Sequence, residues 1–235
     1  MAKKKRAART ERQVARIRNG IIAFVVALVV LIIGYGFVYT TGITEGEYRE
    51  GTHYHAIEDA RGRRPGEPIL VREFFSYGCV HCRNFDPLIE DWKARLPDDV
   101  EFERTPVAFS PVWALLARTY IALDELDALE QNHERLFRAI HDQGRQFLSP
   151  QMIADFVDGY GVSRDEFLRA FESPAVRMRM QQAEQAQREM RITGVPTLVV
   201  NDKYRIGMEV GRQTALDVAD HLIARERDAR RAGGA

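Results

Sequence analysis

Apolar residues run almost unbroken from Ile21 to Val38, softened only by Gly34, Tyr35 and Gly36. At 1.5 Å per residue these roughly 18 positions make about 27 Å of helix, just enough to span a bilayer. Further along, Ile69-Leu70-Val71-Arg72-Glu73-Phe74-Phe75 is a short, nearly continuous apolar block that reads as a buried strand. Val100 through Val107 reads as a second strand parallel to it, with a helix from about Cys79 to Arg95 crossing between them, so the three make a βαβ unit. Pro87 lies within that helix and predicts a kink.

From about Pro111 to Ser173 the pattern changes to helical spacing. Val112, Leu115, Leu116, Thr119, Tyr120 and Leu123 make one face, and Leu136, Phe137 and Ile140 make another. Ser149-Pro150 starts a third helix with Ser as its cap, and Ser163-Arg164-Asp165-Glu166 is a capping box that opens a fourth. A charged amphipathic stretch, Ala175 to Arg191, follows, with Arg177, Arg179 and Arg188 on its wet face. Thr197–Val200 and Tyr204–Met208 then form an antiparallel hairpin, and Thr214–Ala224 forms a closing helix. The Arg-rich end from Arg225 reads as a frayed tail.

Charge changes this picture at the N-terminus only. Lys and Arg total 34, as do Asp and Glu, so the chain is neutral overall. Eight basic residues between Lys3 and Arg18 stand against Glu11 alone, which leaves the remainder at about −7. By the positive-inside rule the N-terminus is cytoplasmic. Val38-Tyr39-Thr40-Thr41-Gly42 offers no small-residue cleavage pattern, so the apolar run is expected to remain as an anchor. A basic arm placed directly before a membrane span does not read as a nucleic-acid site.

The only two cysteines form Cys79-Val80-His81-Cys82, directly after the first strand. At a strand-to-helix junction the first sulfur meets free N–H groups and the positive end of the helix dipole, which favour a thiolate. Cys79 is therefore the candidate nucleophile, and Cys82 the thiol that attacks a mixed disulfide formed on it. A structural role is poorly served, because a disulfide closing so short a loop removes little chain entropy. Zinc lacks a second ligand pair, and Arg83 after Cys82 excludes haem attachment. A Cu(I) site completed by a remote His is the remaining metal alternative. His53 and His55 share one face of an extended segment without further ligands, and His133, His141 and His221 show no local partner pattern.

Downstream, Gly194-Val195-Pro196-Thr197 opens the last hairpin. Together with Glu73-Phe74-Phe75-Ser76-Tyr77-Gly78-Cys79-Val80-His81-Cys82 it resembles the proline loop and active-site segment of DsbA-type thiol-disulfide oxidoreductases of the thioredoxin superfamily. Asn201-Asp202-Lys203-Tyr204 resembles their following hairpin and Tyr48 through Tyr54 their entry strand, so the similarity spans most of residues 46 to 225. Val80 stands where the best-studied members carry proline, which alters backbone donors and rigidity in the turn. His81 matches the family's histidine.

The resemblance implies an α/β thioredoxin fold with an inserted helical subdomain, and the apolar run adds one N-terminal transmembrane helix before it. Its parts are a basic cytoplasmic segment 1–19, a signal anchor 20–40, thioredoxin-like residues 44–110 and 176–226, helical residues 111–175 and a flexible tail 227–235. It implies catalysis by Cys79 and Cys82 with His81 adding positive charge, Glu73 as a buried proton relay partnered by Arg104, and Val80 as a redox-tuning position. Val195, Pro196 and Thr197 hold an extended substrate segment. The redox group is the Cys79–Cys82 disulfide itself, with no metal or dissociable cofactor. Expected partners are exported proteins with free thiols and a DsbB-like quinone-linked membrane protein, with catalysis outside the cytoplasmic membrane and no nucleic acid involved. The alternatives are a tethered reductase or isomerase, a Cu(I) carrier and a holdase.

Overall fold

The computed structural model describes residues 19–22, 24–33, 48–60, 62–64 and 66–233. The chain divides after Glu47 into two units. In the first, residues 24–33 are helical and expose Phe24, Leu31 and Ile33. Most of the expected basic segment 1–19 and part of the expected anchor 20–40 lie outside the described residues. Among the described residues, no helix is long and apolar enough to cross a membrane.

The second unit is built on a five-stranded mixed sheet. Its strands are β1 (His55–Ala56), β2 (Ile69–Phe75), β3 (Val100–Pro106), β4 (Thr197–Val200) and β5 (Tyr204–Ile206), in the spatial order β1-β5-β4-β2-β3. β2 pairs in parallel with β3 and antiparallel with β4. Every β2 residue except Arg72 is buried, which is why the strand reads as a continuous apolar block: a strand covered on both faces has no polar side to alternate with. α1 (Val80–Lys93) and α7 (Arg212–Gly233) cover one face, where Ile69 and Val71 meet Phe85, Ile89, Leu216 and Leu222. Phe74 and Val199 pack on the other face against Met190 and Ile192. The entry strand expected at Tyr48–Tyr54 is instead a turn closed by a Glu50–Tyr54 bridge, and strand pairing begins only at His55.

Between β3 and β4 lie α2 (Pro111–Glu125), α3 (Leu129–Phe137), a π-helical turn (Arg138–Asp142), α4 (Pro150–Val157), α5 (Arg164–Phe171) and α6 (Pro174–Glu189). Their starts follow local rules. Ser110, Ser149 and Ser173 each cap a helix that has proline in its first turn, and Ser163 and Glu166 complete the capping box. Arg179, read from the sequence as a solvated side chain, pairs across to Asp124 and Glu125 of α2. α1 runs through Pro87 as one helix.

The closing helix does not fray at Arg225 but runs on to Gly233. Glu226 is buried, and its carboxylate accepts from the Asn201 amide at 2.5 Å and from Lys203 Nζ at 2.8 Å. Asn201 and Asp202 hold positive φ in the turn from β4 to β5, so this carboxylate ties the helix end to the hairpin turn. Arg227 pairs with Asp99, and Arg230 donates to the Glu67 carbonyl. Glu226→Ala strands the buried Asn201 amide and is expected to lower unfolding stability by about 1–3 kcal/mol. Urea titration checks this, and an unchanged midpoint would show that the tie is idle.

Candidate active site

β2 delivers the chain through Ser76, Tyr77 and Gly78 to Cys79, which is the N-cap of α1. The Ser76 carbonyl accepts the Cys79 N–H at 3.1 Å, and the Ser76 hydroxyl accepts the Gly78 N–H at 3.1 Å. Gly78 is required for space, because a Cβ there would lie 2.6 Å from the Trp113 indole nitrogen. In the cap position the Cys79 sulfur takes the place a Ser or Asp oxygen usually fills, accepting the Cys82 N–H at 3.3 Å.

The two thiols are free and differ sharply. The Cys79 thiol is lowered to about 6 by hydrogen bonding from Cys82, against the opposing effect of burial, and further by the backbone N–H groups of Cys82 and His81 and by the His81 charge. Burial, and the bond it gives to Cys79, push the Cys82 thiol far up. Cys79 is 7% exposed and Cys82 1%, so attack from outside reaches the first sulfur. Val80 and His81 between them are exposed at the helix start.

The loop before β4 completes the upper side. Val195–Pro196 is a cis peptide, and the Val195 carbonyl accepts from the Cys79 thiol at 3.4 Å. Thr197 donates to the Gly194 carbonyl at 2.8 Å, and Pro196 and Thr197 are buried. His55 joins Thr193, Val195, Pro196 and Glu209 around an adjoining cavity of about 320 Å³. Its expected neighbour in a pair, His53, instead accepts from the Arg49 backbone, so the two do not converge.

Below the cysteines lies a buried charge cluster. The parallel register sets Glu73 of β2 directly against Arg104 of β3. Arg104 donates to Glu73 at 2.8 Å, to Asp86 at 3.0 Å and to Glu90 at 2.7 Å. Burial raises the Glu73 carboxyl to about 7 despite the pull of Arg104. Asp86, which burial alone would raise, is held below the usual range by His133 and Arg104.

Two histidines without any pattern in the sequence enter here. His133 of α3 bonds the Tyr77 hydroxyl at 2.8 Å and Asp86 at 3.0 Å, while His141 of the π-helical turn donates to the Tyr77 carbonyl at 2.8 Å. Their partners lie 47 to 64 residues away, so no local spacing signals them. Among the described residues, no cluster of three or more His, Cys, Asp or Glu is arranged to hold a metal ion. What remains is a reactive thiol at a helix start, a buried partner thiol, and an acid that is half protonated near neutral pH.

Residues 70–222 match the family model of the DSBA-like thioredoxin domain. The thiol:disulfide interchange protein DsbA of Azotobacter vinelandii is 39% identical over 168 residues, covering 71% of this chain and 78% of that protein. That of Burkholderia cepacia is 36% identical over 143 residues, covering 61% and 68%. Among solved structures, DsbA of Pseudomonas aeruginosa superposes with a TM-score of 0.76 at 34% identity, over 80% of this chain and 98% of that one. The oxidoreductase DsbA of Xylella fastidiosa gives 0.73 at 36% identity, over 77% and 98%.

Proposed function

Because the chain belongs to the DsbA-like thioredoxin family and is a disulfide-forming protein oxidoreductase, we propose that the Cys79–Cys82 disulfide is the group it donates to exported proteins. A client thiolate attacks Cys79, forming a mixed disulfide and releasing Cys82. Cys82 leaves as a poor thiolate, and Glu73, whose carboxyl is near 7, supplies its proton. A second client thiolate then attacks the client sulfur. The client leaves with its disulfide, Cys79 leaves as a stabilised thiolate, and the enzyme holds both electrons.

The asymmetry of the two thiols carries this reading. A thiolate favoured at Cys79 stabilises the reduced enzyme, which makes the disulfide a strong oxidant. His81 contributes charge, and Val80 tunes the turn by restoring a backbone N–H where proline has none. Val195 presents backbone to an extended client segment beside Cys79, with Pro196 and Thr197 shaping the groove. The reaction uses no metal or dissociable cofactor.

The chain is tethered by its apolar run at 20–40, with its basic N-terminus in the cytoplasm and its catalytic unit in the periplasm. A DsbB-like quinone-linked membrane protein reoxidises it. The charge asymmetry around the apolar run and the exposed apolar helix at 24–33 support this placement.

The deciding measurement is the equilibrium reduction potential of the Cys79–Cys82 pair in a glutathione titration. A value near about −120 mV, typical of DsbA, is expected, whereas one near about −270 mV marks a thioredoxin-like reductase.

A further inference from the structure

The exchange steps above leave His133 without a role, although both of its ring nitrogens are hydrogen-bonded near the cysteines. It is 12% exposed and touches two functional elements at once. Nδ1 meets the hydroxyl of Tyr77, two residues before the nucleophile, and Nε2 meets Asp86, which shares Arg104 with Glu73. The tautomer follows from these partners. An ionised carboxylate only accepts, so Nε2 carries the hydrogen, and Nδ1 is left to accept from the Tyr77 O–H. Both donors and both acceptors are then satisfied with a neutral ring, and burial supports that state by lowering the His133 pKa. On its outer side His133 borders a charged cavity of about 900 Å³ between α1, β3, α2 and α3.

We propose that His133 is a positioning residue for disulfide exchange: by bonding the Asp86 oxygen that Arg104 also bonds, it limits the share of the guanidinium that Asp86 draws and so sets what is left for Glu73 beneath Cys82. This rests on the reading of Glu73 as the proton donor to Cys82. When His133 donates to Asp86, that carboxylate needs less from Arg104. When the donor is lost, Asp86 draws Arg104 more strongly and leaves Glu73 with less compensation, so Glu73 holds its proton to higher pH. The other charged or titratable groups around this cavity are Arg83, Glu90, Asp91 and Lys93 from α1, Glu103 from β3, Tyr120 and Asp124 from α2, Glu130 and Glu134 from α3 and Arg179 from α6. None of them bonds both Asp86 and the active-site loop.

The test follows the Glu73 carboxyl by pH-difference infrared spectroscopy of the full-length protein, with Glu73→Gln identifying its band. His133→Leu is expected to move the midpoint up by about half a pH unit or more, roughly a threefold change in proton affinity. The pH profile of disulfide transfer should move with it. His133→Gln, which keeps an N–H donor for Asp86, is expected to restore both. If the band vanishes in Glu73→Gln but is unmoved by His133→Leu, the inference about His133 is overturned while the relay stands. If Glu73→Gln leaves the pH profile of transfer intact, the relay itself falls, and the inference with it. Nitrogen-15 NMR of the unmutated protein gives an independent check should the leucine variant fail to fold. A neutral ring with hydrogen on Nε2 at pH 7 supports the proposal; hydrogen on Nδ1, or on both nitrogens, overturns it.

Discussion

Cys79→Ser is expected to reduce disulfide transfer to an unfolded, reduced client by more than ~10³-fold, to the level of uncatalysed exchange. A serine oxygen forms no disulfide, and Cys82 alone is 1% exposed and held as a high-pKa thiol, so it has neither access nor thiolate to substitute. The same geometry sets a pH signature in the reduced wild type. Alkylation of Cys79 should rise with a midpoint near pH 6, far below an ordinary thiol. The sign of the linked stability follows. Cys79 is depressed on folding, so the reduced form gains stability that is present above the unfolded thiol's range and is lost as pH falls through about 6. Client oxidation by the serine variant at the wild-type rate would overturn the assignment of Cys79 as nucleophile.

The second large effect belongs to Glu73 and has the opposite sign. Its carboxyl goes from 4.5 when exposed to about 7 in the folded protein, a shift that already includes the attraction of Arg104. The folded chain therefore binds the extra proton between these values, and stability falls as pH rises from about 4.5 to about 7. At 1.36 kcal/mol per unit, the cost at pH 8 is about 3 kcal/mol. Glu73→Gln, which cannot ionise, should be more stable than wild type by about that amount at pH 8 and equal to it near pH 4. Guanidinium titrations of the reduced proteins at the two pH values make the comparison. Parallel pH dependence in both proteins would mean that Glu73 does not titrate in this range.

How far the molecule was legible from its sequence depends on the range of the interaction. The CxxC, its helix start and the Ser163 box are contiguous signals, and β2 announces itself because both its faces are covered. Glu73 and Arg104 are paired by resemblance, and the parallel register places them face to face. Asp86 and Glu90 become further partners of Arg104 only when α1 packs beside β3, and His133 and His141 become ligands of Tyr77 only when the inserted helical segments fold back on the active-site loop; nothing in local spacing encodes either. The end of α7 escapes a local reading for a related reason. An arginine-rich run looks solvated until Asn201, Lys203, Asp99 and the Glu67 carbonyl are known to lie alongside it.

The edges of the sheet bear on the company this enzyme keeps. One edge is β1, only two residues long; the other is β3, where Glu101 and Glu103 stand exposed and Pro106 interrupts the row of donors. A protein that handles unfinished chains meets many extended segments seeking a backbone partner, and a long apolar edge would recruit them into an aggregate. Short, acidic and proline-broken borders deny that template, so the sheet edges offer extended segments little to pair with.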